Sequence, residues 1–109
     1  SVINDQVGSP TYAYDLANAI VSIIESKDWK PGIYHYSNEG EISWFDFASA
    51  IKEIKQFGCK INAIPTTAYP TPAKRPKFSL LDKSKIKSDY NLQIPEWRAS
   101  LELMISKLN

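Results

Sequence analysis

Between Tyr14 and Ser26 the sequence sets Leu16, Ala19, Ile20, Ile23 and Ile24 at three- and four-residue spacing, so they share one helical face that must be buried. Little else in the 109 residues can cover a stripe that broad. Val2 to Asn4 reads as the end of a strand, running into a turn at Gly8-Ser9-Pro10. Asp15 suits the positive end of the helix dipole. After a Pro31-Gly32 turn, the β-branched and aromatic run Ile33 to Tyr36 reads as a short strand. Ser43 is placed to cap a second helix, with Asp46 three residues on as a capping-box variant. Phe47, Ile51 and Ile54 form its stripe with Ala48 beside them, and Gly58 is its expected stop. A strand over Lys60 to Ile64 follows. Asp82 is placed to cap a short helix to about Asp89, and Trp97, Leu101, Met104 and Leu108 mark a last helix near Glu96 to Leu108. The pattern is α/β, with few short strands and three to four helices. It implies one domain, residues 1–109, whose helix faces outnumber the sheet available to cover them.

Composition excludes several classes. A formal net charge of +1 gives no field to attract nucleic acid or an anionic membrane. Apolar runs such as Ala19-Ile20-Val21 are far too short to span a bilayer, and the opening Asn4-Asp5-Gln6 stretch does not read as a signal peptide. The single cysteine, Cys59, excludes an internal disulfide and a Cys-rich metal site, which fits a reducing cytoplasm. The chain opens on Ser1, not methionine, which suggests part of a longer product.

Signatures of self-contained catalysis are missing. No Gly-x-Gly-x-x-Gly follows a strand, so neither a dinucleotide loop nor a catalytic residue is assigned. His35, the only histidine, reads more readily as a structural residue than as a general base. Cys59 has no basic neighbour and reads as a packing residue. Glu39 and Glu41 flank Gly40 and read as solvated loop charges, with a metal or hydroxyl contact as the rarer alternative, so no metal ligand is assigned. The aromatics Tyr12, Tyr14, Trp44 and Phe45 could stack on a base or sugar, although core or interface packing is the commoner use.

The best physical candidate is the long loop from Pro65 to Pro76. A loop of that length in a compact domain is usually functional or a linker. It carries Lys74 and Arg75 between Pro72 and Pro76, where stiffening lowers the entropy of ordering them. Arginine can bind phosphate oxygens through two parallel charge-assisted hydrogen bonds. Arg75 is therefore a candidate anion clamp with Lys74 beside it, against a surface salt bridge or a solvated loop. Gln6, with Asn4 and Asp5, forms a second polar cluster at a strand end, where α/β sheets often contact ligands.

Several segments together resemble one family. They are Asn4-Asp5-Gln6-x-Gly8-Ser9-Pro10-Thr11 with Asp15-Leu16-Ala17, Gly32-Ile33-Tyr34-His35, and Gly40-x-x-Ser43-Trp44-x-x-Phe47-Ala48. Tyr69-Pro70-Thr71-Pro72-Ala73-Lys74-Arg75-Pro76, Ser79-x-Leu81-Asp82 and Trp97-x-x-Ser100-Leu101 complete the set. In this order they look like the C-terminal part of dTDP-4-dehydrorhamnose reductases, in the extended short-chain dehydrogenase/reductase superfamily. The resemblance implies a C-terminal substrate-binding lobe whose Rossmann core is absent from these residues.

Such enzymes reduce dTDP-4-dehydro-L-rhamnose to dTDP-L-rhamnose, a cell-surface polysaccharide precursor, with NADPH or NADH. The family's Rossmann domain supplies the Gly-rich loop and a Tyr-x-x-x-Lys pair. No tyrosine here is followed by lysine four residues on, so these residues alone are expected to be inactive. The resemblance implies a dTDP-sugar as partner, with Arg75 on the diphosphate and Lys74 and Gln6 nearby. It also implies that Ile33 to Tyr36 joins the edge of a Rossmann sheet from the N-terminal part of the same chain. Members can dimerise and some use magnesium. Two alternatives stay open: a non-catalytic relative such as the regulatory subunit of methionine adenosyltransferase, and another sugar-nucleotide reductase or epimerase.

Overall fold

The structure, a computed structural model, describes residues 1–108. It has two compact units: Ser1–Ser9 with Gly40–Leu80, and Pro10–Glu39 with the chain from Leu81 onward. Four α-helices and four two-residue strands make up the regular structure of the described residues, apart from one 3₁₀ turn, so the architecture is α/β with few short strands.

In the first unit, β1 (Val2–Ile3) pairs in parallel with β4 (Ala63–Ile64), and β2 (Val7–Gly8) pairs antiparallel with β3 (Ile42–Ser43). Helix α2 (Trp44–Lys55) lies against β1 and β3. Ala50, only 2% exposed, has the small side chain that a close approach needs. Ser43 is both the last residue of β3 and the cap of α2. Its hydroxyl accepts from the Asp46 N–H at 3.1 Å, and the Asp46 carboxylate accepts from the Ser43 N–H at 2.9 Å, completing the box. Ser43→Ala should lower the stability of this unit by about 1 kcal/mol in urea denaturation, because a buried cap loses its acceptor.

Two boundaries differ from expectation. Helix α2 ends with Gln56 in the left-handed region (φ 56°), two residues before Gly58. The Phe57 N–H closes that end on the Lys52 carbonyl at 3.1 Å, so the glycine is not needed as a stop. The strand expected over Lys60–Ile64 shrinks to Ala63–Ile64, because β1 offers a partner of only two residues.

The second unit holds α1 (Ala13–Ser26), α3 (Ser84–Tyr90) and α4 (Trp97–Ser106). Its buried apolar residues are Ala19, Ile86, Leu101 and Ile105. The α1 stripe is only partly covered: Ile20 is 49% and Ile24 53% exposed, which corrects the expectation that all five residues are buried. On α4, Ile105 takes the buried place expected for Leu108, which lies beyond the helix end at 69% exposed. The expected strand Ile33–Tyr36 makes no ladder among the described residues, and Ile33 is 79% exposed. Extended residues become a strand only where another backbone pairs with them. Asp82 accepts from the Ser84 N–H at 2.9 Å, one residue ahead of the formal cap position of α3.

Candidate functional site

The candidate site is built on the segment from Ile64 to Ser79, which lies within the first unit, running out from β4 and returning beside β2. Pro65 sits just before a single 3₁₀ turn, Thr66–Ala68, and the remaining residues to Pro76 form no further helix or strand. Pro70, Pro72 and Pro76 fix backbone angles along it, and the Thr71 hydroxyl donates to the Ala73 carbonyl at 2.6 Å. Lys74 and Arg75 are both exposed, and neither makes a hydrogen bond or ion pair with another described residue. The salt bridge considered as an alternative for Arg75 is therefore not formed. Two exposed cations sit in a proline-stiffened loop, close to its returning end.

Both ends of this loop rest on residues 4 to 8. On the outgoing side, the Asn4 N–H donates to the Ile64 carbonyl at 2.9 Å. The Asp5 carboxylate then accepts from both the Thr66 N–H at 2.8 Å and the Thr66 hydroxyl. Those two bonds hold the Asp5 carboxyl below the usual carboxylate range, the hydroxyl contributing most. Gln6, 8% exposed, donates from Nε2 to Thr66 Oγ1 at 3.3 Å. On the returning side, the Val7 N–H donates to the Lys77 carbonyl at 2.7 Å and the Ser79 N–H to the Val7 carbonyl at 2.8 Å. Gly8 lies beside this return: a Cβ there would meet the Ser79 hydroxyl oxygen at 2.7 Å. The structure thus gathers Gln6 and the root of the Lys74–Arg75 loop in one unit.

A second polar cluster lies in the other unit and was not singled out from sequence. Asn38, 1% exposed, donates from Nδ2 to Asp15 at 2.7 Å, to Ser100 Oγ at 3.0 Å and to the Pro95 carbonyl at 3.2 Å. Its Oδ1 accepts from the Tyr12 N–H at 2.7 Å, and the Ser100 hydroxyl also donates to Asp15. Lys83, 7% exposed, donates to the Asn38 carbonyl at 3.0 Å and pairs with Glu39 at 3.0 Å. Glu39 also accepts from Lys87 at 2.6 Å, and that bond above all holds its carboxyl below the ordinary range. Glu39 is therefore an ion-paired residue and not a solvated loop charge; the two lysines of the α3 region decide that. Among the described residues no buried side-chain polar atom lacks a partner, so this network ties α1, α3 and α4 together.

The remaining candidates are scattered. His35 is exposed, with Asp82 as its charged neighbour. Cys59 is exposed, which corrects its reading as a packing residue: it follows the helix end in a segment without regular structure. Trp44 and Tyr14 are 60% and 51% exposed, whereas Tyr12 and Phe45 are half-buried. Among the described residues no group of three His, Cys, Asp or Glu side chains could hold a metal ion, and no helix is long and apolar enough to cross a membrane.

Comparison with known proteins bears on the same residues. The dTDP-4-dehydrorhamnose reductase of Escherichia coli K12 is 38% identical over 117 residues, covering 99% of this chain and 39% of its own length. A spore coat polysaccharide biosynthesis protein, SpsK, of Bacillus subtilis is 38% identical over 100 residues, covering 92% of this chain and 34% of itself. Among solved structures, the dTDP-4-dehydrorhamnose reductase of Clostridium acetobutylicum superposes with a TM-score of 0.88 at 35% identity, over 98% of this chain and 38% of that one. The Bacillus anthracis reductase, solved in complex with NADP, gives 0.87 at 33% identity over 99% and 37%. The chain thus spans about two fifths of the length of the relatives it matches. A family model described as the RmlD substrate binding domain matches residues 1–109, the loop with Lys74 and Arg75 included. With that match running from end to end over a fold the reductases share, the chain belongs to the RmlD substrate-binding domain family.

Proposed function

We propose that residues 1–109 act as the single, C-terminal substrate-binding domain of an NAD(P)H-dependent dTDP-4-dehydrorhamnose reductase. In this reading Arg75 grips the diphosphate of the dTDP-sugar, Lys74 adds charge beside it, and Gln6 holds the base of the loop that carries both. The observation that carries it is the pair of unpartnered cations on a stiffened loop, within a chain matched end to end by a substrate-binding family. An arginine with no protein partner keeps its planar donor fork for a ligand, and proline stiffening reduces the entropy lost on binding.

The dinucleotide bound by the Bacillus anthracis relative does not fit the residues here. The four glycines, Gly8, Gly32, Gly40 and Gly58, are far apart in the sequence, and none stands in a Gly-rich turn opening a helix. Hydride delivery and carbonyl protonation therefore belong to an N-terminal Rossmann domain of the parent chain, and these residues bind and orient the sugar nucleotide. Two observations support that partner. Ile20, Val21 and Ile24 leave an apolar face of α1 exposed, and Ile33–Tyr36 is extended without a ladder. A helix followed by an extended, unpaired run is what a parallel sheet from the rest of the chain would cover and pair. The parent enzyme would then be cytoplasmic and able to pair with a second copy.

In the full-length parent, Arg75→Ala should weaken dTDP-sugar binding by about 1.5–3 kcal/mol, the scale of hydrogen bonds to a charged group. Isothermal titration with the purified variant measures this. An unchanged Kd would remove Arg75 from the site.

A further inference from the structure

We propose that Asp5 is a positioning residue: it pins the outgoing root of the cationic loop and so presents Lys74 and Arg75 to an anionic ligand. The two roots differ in kind. The returning root is made of backbone bonds between Val7 and Lys77 and between Val7 and Ser79, which any side chains would permit. The outgoing root has a backbone bond as far as Ile64, from the Asn4 N–H, and beyond it relies on a side chain. Thr66 opens the 3₁₀ turn, and Pro65 before it provides no side-chain cap, so the Thr66 N–H would otherwise lack a protein acceptor. Asp5 reaches across 61 positions of sequence to accept that N–H and the Thr66 hydroxyl together. Gln6 Nε2 then donates to the same hydroxyl oxygen, so Thr66 is held from two adjacent residues.

A carboxylate suits this role better than its neutral analogue. It accepts both donors at once, and charge-assisted bonds are the stronger kind. With both roots fixed, the intervening residues are a closed loop whose ends cannot swing. Losing the Asp5 bonds moves the outgoing anchor back to the Asn4–Ile64 backbone bond and leaves the stretch from Pro65 to Pro76 a longer, looser arm. The arm samples more conformations, and a ligand must order it at an entropic cost. Asp5 touches no ligand in this scheme; it acts through the loop.

The inference rests on the reading of Lys74 and Arg75 as a diphosphate clamp, and its test separates the two. Full-length wild type, Asp5→Ala, Asp5→Asn and Arg75→Ala are compared by hydrogen exchange and by titration with dTDP. Asp5→Ala should speed exchange of the Thr66–Tyr69 amides about tenfold and leave the α2 amides unchanged, as loss of one charge-assisted anchor implies. Its Kd for dTDP should rise about threefold to tenfold, with KM for the dTDP-sugar rising and kcat preserved. Asp5→Asn, which keeps an acceptor but no charge, should fall between wild type and Asp5→Ala. Unchanged exchange in Asp5→Ala would overturn the anchor. Faster exchange with unchanged dTDP affinity, while Arg75→Ala weakens it, would overturn the positioning role. Absence of dTDP binding by wild type would remove the clamp and the positioning role together, whatever the exchange shows. A general loss of exchange protection in Asp5→Ala would shift the decision to Asp5→Asn, where the same criteria apply.

Discussion

Asn38→Ala should destabilise the unit built on α1, α3 and α4 by about 3 kcal/mol, because it strips several buried groups of their partner at once. The Asn38 side chain bonds the residue before α1, the first turn of α1, the Pro95 carbonyl and Ser100 of α4. Alanine would leave the Tyr12 N–H without its acceptor and the Asp15 carboxylate, 9% exposed, with one donor fewer. Each orphaned buried group costs about 1–3 kcal/mol, and members of one network do not add independently, so the total stays well below their sum. Asn38→Asp should be at least as damaging, because it sets a second carboxylate beside Asp15. Urea denaturation of the variants measures both, and a double-mutant cycle with Asp15→Asn isolates the coupling. A loss under about 0.5 kcal/mol, the range of an ordinary surface change, would mean that water replaces the amide at no cost.

Leu101→Ala should have a comparable effect, about 2–5 kcal/mol, by a different physical route. Leu101 is 4% exposed on the buried face of α4, with Ile105 one turn further on. Truncation forfeits the transfer free energy of the lost atoms and leaves a cavity that the neighbours fill only in part. Leu108 is the control: 69% exposed and past the helix end, its replacement by alanine should stay within about 0.5 kcal/mol. Equal losses at the two positions would contradict the described core.

The contrast between these leucines shows what was legible in the sequence. Periodicity placed α4 correctly and put Leu101 on the buried stripe, but it also enrolled Leu108, because spacing carries no information on where a helix frays. The Ser43–Asp46 box was legible because cap and partner stand three residues apart. Ile20 and Ile24 are exposed and Ile33–Tyr36 forms no ladder, because among the described residues no apolar surface or backbone edge meets them, and periodicity does not say what a stripe will meet. The cationic loop was readable from its proline rhythm and from Lys74-Arg75. Its anchor was not, since Asp5 and Thr66 stand 61 positions apart. Asn38 gave no local signal either, although Asp15 and Ser100 both fell within recognisable motif blocks. A polar residue acquires its meaning from what folding brings to it.

The division of the chain carries a consequence for how it is made. The backbone passes from one unit to the other after Ser9, after Glu39 and after Leu80, so neither unit is a continuous stretch. On the ribosome Ser1–Ser9 wait for a segment ending near Leu80, and α1 waits for helices that emerge later still. Domains that fold as they are synthesised depend on local completion, and interleaving of this kind defers it until Leu80 for the first unit and until α4 for the second. The same interleaving means that no single excision or recombination point can move one unit without severing the other, so the two are inherited together.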